Sequence, residues 1–167
     1  MILLFIFLST IYSAPPRIRD KAFFDVLANC LIFTIFYLQS YFFSNDKFNS
    51  IFFILIILLY FLFQEILHQL AHFKNDKKSG RKKTVVSLGF KNAISFLKKL
   101  PVIYSFIAFL LFLLTNELIF VVMLFFNLLR INKMREINKN SNFLYLRDNV
   151  YGIYEFTIYI LLNIWLK

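Results

Sequence analysis

Long apolar runs alternate along this chain with short polar stretches. Residues 23–43, 51–73, 101–129 and 150–166 are dense in Phe, Leu, Ile and Tyr. A bilayer span needs about 20 apolar residues, so runs of this length predict lipid-embedded helices rather than faces of a water-soluble core. The expected fold class is an all-α integral membrane protein, a single membrane domain over 1–167 made of helical hairpins and a basic amphipathic interfacial helix. The connector 44–50 is short, polar and neutral. It predicts a helical hairpin over 23–73 with both outer ends on the cytosolic side. Residues 1–12 read as a short apolar anchor. Ser13 and Ala14 resemble a signal-peptide end, but no basic residue precedes the apolar stretch and Pro15 and Pro16 follow at once, so an uncleaved anchor is expected.

The third run sets a length problem. As one helix, 101–129 would extend about 43 Å at 1.5 Å per residue, against a hydrocarbon core of about 30 Å. It would also put basic stretches on opposite faces of the bilayer. Asn116 and Glu117 sit near its middle, where an ionised carboxylate in lipid is costly. They are the candidate turn of a re-entrant hairpin, with a long tilted span as the alternative. Upstream, 84–100 has helical periodicity, with Val86, Phe90, Ala93, Ile94, Leu97 and Leu100 on one face and Lys91, Lys98 and Lys99 on the other. This pattern suits a helix lying in the membrane interface, with Phe90, Lys91, Leu97, Lys98 and Lys99 as its contact residues; packing on a partner protein is the alternative. The last run, 150–166, reads as an embedded or interfacial helix, its Tyr151, Tyr154, Tyr159 and Trp165 suited to the headgroup level.

Composition sharpens this picture. The net charge is +10, but its placement points away from nucleic acid. Nine Lys and Arg residues fall in 74–100 against Asp76 alone, and Arg130, Lys133, Arg135 and Lys139 follow the third run. Basic residues flanking membrane segments are the positive-inside signature and attract anionic lipid headgroups, the expected partner. Cys30 is the single cysteine, which rules out an internal disulfide. With three glycines and three prolines, nearly all outside the runs, neither close small-residue packing nor broken helices are visible, which argues against a transporter or channel.

Candidate chemistry is sparse. His68 and His72 are spaced i, i+4 with Glu65 one turn earlier, placing all three on one helix face. Zinc or haem would need further ligands, and the expectation is that they are polar anchors of a helix end, with no metal, no cofactor and no catalytic residues. Asp25, Glu65, Glu117 and Glu155 are dispersed over the four runs, and no phosphate loop or nucleophile motif occurs.

The order of features resembles the transmembrane protein 33 family, which includes fungal pore-membrane proteins of the nuclear envelope. The resemblance rests on Lys21, Ala22 and Phe23 leading to Cys30 and to Gln39, Ser40 and Tyr41, on Leu67, His68 and Lys74, on Asn116 and Glu117, and on Lys139 and Asn140. The chain is shorter than that family's pattern at its N-terminal membrane region. The resemblance implies residence in the endoplasmic reticulum and nuclear envelope, and a non-enzymatic membrane-shaping or scaffold role aiding nuclear pore distribution beside reticulon-like or pore-membrane proteins. Hairpins that do not fully cross and a basic interfacial helix would favour curvature. The high Phe content and the His68/His72 pair motivate the alternative, an accessory transmembrane subunit of an organellar respiratory-chain complex in the mitochondrial inner membrane.

Overall fold

The computed structural model describes residues 2–14, 20–42, 50–116, 118–138 and 141–151. All regular elements among them are helical: α1 (Ile2–Ser13), α2 (Phe24–Phe42), α3 (Ser50–Lys78), α4 (Thr84–Leu88), α5 (Phe90–Thr115), α6 (Leu118–Arg135), α7 (Phe143–Tyr145) and a π-helical turn over Leu146–Tyr151. They form two compact units, residues 1–93 and 94–167.

In the first unit α1 and α3 both pack on α2, and α4 packs on α3 and α2. Asp25 meets Gln69, and two turns further along α2 Phe33 stacks on Phe61, two turns back along α3. The two helices are therefore antiparallel. Their seam is apolar, with Val26, Ala28 and Cys30 buried on α2 and Phe63, Ile66 and Leu67 on α3. Lys77 and Lys78 occupy the last turn of α3, where cations complement the helix dipole. Gly80 ends it: φ of 69° lets its N–H reach the Lys77 carbonyl while the Arg81 N–H reaches that of Asp76 at 3.0 Å.

In the second unit α5 and α6 fold back on one another around Asn116, whose φ is 56°. Asn tolerates this left-handed conformation better than most residues. Pro101 lies inside α5, where it withholds an N–H from the ladder. Asn127 of α6 braces that point, donating from Nδ2 to the Pro101 carbonyl and to the Ser105 hydroxyl. The buried stripe of α6 is Phe120, Met123, Asn127, Arg130 and Met134, while Val121, Phe125 and Leu128 are exposed. Asn127 and Arg130 turn inward among apolar neighbours while Val121, Phe125 and Leu128 face out, and this is how a helix is arranged when lipid surrounds it. Replacing Asn127 by Ala should destabilise the protein by about 0.6–2 kcal/mol, the range for interhelical hydrogen bonds in lipid. Unfolding titration in mixed micelles would measure this, and an unchanged midpoint would show the brace to be energetically idle.

Two helices, Leu55–Lys78 and Phe90–Leu114, are long and apolar enough to cross a bilayer. The protein is an all-α integral membrane protein. Its local architecture departs from the sequence expectation in one place. The segment 84–100 is two helices rather than one, because the chain breaks at Gly89 with φ of 78°, and α5 then runs on to Thr115. The segment 101–129 is not one uninterrupted helix, since α5 and α6 are separate, with 26 and 18 residues. Apart from its first two residues, the expected helix over 150–166 lies outside the described residues, as do Glu117, Lys139 and Asn140.

Candidate functional site

The densest polar cluster among the described residues lies inside the first unit, where a membrane helix pair should carry none. Asp25 begins the first turn of α2 and is fully buried. Its Oδ2 accepts from Gln69 Nε2 at 2.7 Å and from the Thr84 backbone N–H at 3.3 Å, its Oδ1 accepts from the Thr84 hydroxyl, and Lys83 Nζ stands 3.9 Å from Oδ2. Gln69 turns its other end to the α4 backbone, with Oε1 accepting from the Val85 N–H at 3.1 Å. The same Gln69 amide nitrogen donates to Glu65 at 3.0 Å. A buried carboxylate in lipid is tolerable only when so many donors converge on it.

This network ties three separate pieces of chain together. The Thr84 hydroxyl also accepts from the N–H of Phe23, which enters α2 with φ of 68°. A bulky side chain at positive φ stores of the order of 1–3 kcal/mol of strain, and Thr84 holds the turn against it. The result is that the last turn of α3 with Lys77 and Lys78, and the connection to α4 with Arg81, Lys82 and Lys83, are anchored at the end of the membrane helices rather than trailing from them. One turn beyond Gln69, the same side of α3 continues into His72 and Asp76. The His68 and His72 rings touch edge-on with centroids 4.7 Å apart. Asp76 is buried and pairs with Arg81 Nη1 at 3.1 Å.

The residues singled out by sequence fall elsewhere. Phe90 packs on Phe73 with ring centroids 5.2 Å apart, Lys91 and Lys99 are exposed, Lys98 is half-buried, and Leu97 is completely buried. Ala93, Leu97 and Leu100 are all closed off within the protein, so half of the face expected to enter lipid is core. Asn116 is the break between α5 and α6. In the sequence Asp25 and Glu65 stand only as two of four carboxylates dispersed over the runs, and Gln69 and Thr84 carry no signal of their own. An ionisable residue within an apolar run was the available signal; its partners, 44 and 59 residues away, left none.

Compared with models of known protein families, the chain matches none, and it matches no curated protein sequence. Its fold is found among solved structures. A UbiA homologue from Archaeoglobus fulgidus bound to GPP and Mg2+ superposes with a TM-score of 0.78 at 20% identity over 93% of this chain. The structure of a UbiA homologue from the same organism bound to Cd2+ gives 0.75 at 21% identity, again over 93%. The chain spans 57% and 62% of the length of those two proteins.

This likeness corrects the resemblance to the transmembrane protein 33 family. The peptides that carried it are short aromatic-aliphatic stretches that many Phe-rich membrane helices contain, and Leu67, His68 and Lys74 belong instead to the α3 side of the hairpin just described. The non-enzymatic scaffold role, with its nuclear-pore and curvature associations, is overturned by the same finding: the solved chains that share this fold are UbiA homologues, one of them bound to GPP and Mg2+. The respiratory-subunit alternative has no support either. What the chain shares with these structures is the helical fold of UbiA homologues.

Proposed function

We propose that this protein is a UbiA-type membrane enzyme that binds an isoprenoid diphosphate and acts in prenyl transfer. The observation that supports this most is the fold likeness, over 93% of the chain, to a UbiA homologue bound to GPP. The chemistry of the first unit is compatible with it. An isoprenoid diphosphate is an apolar tail on a polyanion, and here a basic turn is fixed at the end of an apolar helix pair. In prenyl transfer the allylic C–O bond breaks, the diphosphate leaves with the bonding electrons, and the acceptor that gains the prenyl carbon gives up a proton. Negative charge grows on the leaving group, and preorganised cationic side chains stabilise it. Lys77, Lys78, Arg81 and Lys82 are the groups to do so, and the Asp25–Gln69–Thr84 network is what positions them. Integral membrane residence fits a lipid substrate, whereas residence in the endoplasmic reticulum, nuclear envelope or mitochondrion loses its support together with the readings that implied it.

Full-length protein in lipid nanodiscs, incubated with tritiated GPP in Mg2+ buffer, tests the reading. Saturable binding displaced by unlabelled GPP but not by geraniol is expected. Absence of such binding would overturn it.

A further inference from the structure

We infer that this chain holds its diphosphate with its own basic side chains, without a divalent cation bridging protein and phosphate. The inference rests on the prenyl-diphosphate reading and concerns how the polyanion is held. One of the solved UbiA homologues contains Mg2+, so whether this chain's residues fit that ion can be asked directly. Mg2+ demands near-ideal octahedral oxygen geometry and is usually bound through one or two carboxylates, waters and substrate phosphate oxygens.

The carboxylates here are already committed to nitrogen and hydroxyl donors. Both oxygens of Asp25 are hydrogen-bonded, within a fully buried site. The Gln69 amide sits between Asp25 and Glu65, donating to both. It fills the position from which a cation would bridge them. A metal there would have to displace that amide and the approach of Lys83, leaving buried donors without acceptors. Asp76 stands apart: it is seven residues, or about 10 Å along the helix axis, beyond Gln69, and Arg81 holds its Oδ1. Between the two levels the same side of α3 carries His72, which offers no carboxylate oxygen. Among the described residues no three His, Cys, Asp or Glu side chains are grouped to hold a metal ion.

Positive charge is present in another form. Lys77, Lys78, Arg81, Lys82 and Lys83 lie within seven consecutive positions, and all but Lys83 are exposed. Lysine and arginine both bind phosphate through charge-assisted hydrogen bonds, Arg in a planar fork and Lys as a point charge. The turn that bears them is pinned at both ends, by the Gly80 helix stop and by the Thr84 and Val85 bonds to Asp25 and Gln69. A rigid cationic turn beside metal-incompetent carboxylates is the arrangement expected when side chains neutralise the substrate.

The test measures binding of tritiated GPP to the full-length protein in zwitterionic-lipid nanodiscs, in 5 mM Mg2+ (about that concentration suffices to saturate a weak oxygen site) and in excess EDTA. Wild-type affinity is expected to change by no more than about threefold between the two. The variant Lys77→Gln/Lys78→Gln/Lys82→Gln should lose affinity by about tenfold or more in both buffers, roughly the loss of at least one charge-assisted hydrogen bond. Its elution profile and helical signal should match wild type, since these side chains are exposed. Wild-type binding lost in EDTA and restored by Mg2+ overturns the inference while leaving the prenyl-diphosphate reading intact. Metal-independent binding that survives the triple substitution also overturns it, because the anion then sits elsewhere. No specific binding in either buffer overturns the functional reading itself.

Discussion

Replacing Asp25 by Ala should destabilise the folded protein by about 3–5 kcal/mol, the cost of removing one partner from a buried charged pair. The reason is what remains behind. Gln69 Nε2, the Thr84 hydroxyl and backbone N–H, and Lys83 Nζ all point at the vacated carboxylate, and beyond the Glu65 oxygen that Gln69 already meets, neither lipid nor the apolar seam offers them another acceptor. Asp25→Asn should cost less, because one carbonyl oxygen still accepts, but its amide faces donors and Lys83 loses its counter-charge. Unfolding titrations in mixed micelles would rank wild type above Asn above Ala. Combining Asp25→Ala with Gln69→Leu should cost clearly less than the two separate losses added together, since the doubly substituted protein leaves fewer orphaned donors. An Ala variant as stable as wild type, or strictly additive losses, would mean that the network does not operate as a unit.

A second large effect is expected at Leu97. Its side chain has no exposed surface, so Leu97→Ala should cost about 2–5 kcal/mol through lost burial and the cavity left behind. Its neighbour Phe96 is 37% exposed and faces outward from α5, so Phe96→Ala should cost well under half as much despite removing more atoms. A helix lying in the membrane interface would give the opposite order, with Phe contributing more than Leu to membrane partitioning and neither controlling the unfolding midpoint. The same micelle titrations on the two single variants separate these outcomes.

The contrast between those residues shows what the sequence makes legible. Embedding in lipid is written in the length of the apolar runs, because few water-soluble helices carry so many consecutive Phe, Leu and Ile residues. The α5–α6 break has a local cause in an Asn within an apolar run. The periodicity of 84–100 is also real, but an apolar face reads alike whether lipid or protein covers it, and no periodicity announces that Gly89 adopts φ of 78°. The buried cluster was hidden for a different reason. Asp25 and Glu65 are conspicuous singly, yet their chemical environment is made by Gln69, Lys83 and Thr84, which arrive from distant segments only when α2, α3 and α4 pack. The family resemblance failed because its matched peptides were drawn from the apolar and basic residues that membrane insertion itself selects.

The closure of Asp25 by Thr84 also sets an order on biosynthesis. The two residues are 59 positions apart, so at 5–20 residues per second Thr84 is added about 3–12 s after Asp25. For the first 44 of those 59 residues Gln69 has not been made either, so Asp25 waits without its partners, and the strained entry at Phe23 has no hydroxyl to hold it. The nascent hairpin is therefore under-bonded until the basic turn has been synthesised and folded back. A chain halted between residues 69 and 84 would hold a carboxylate bonded by Gln69 alone between membrane helices, a polar defect that the finished chain lacks.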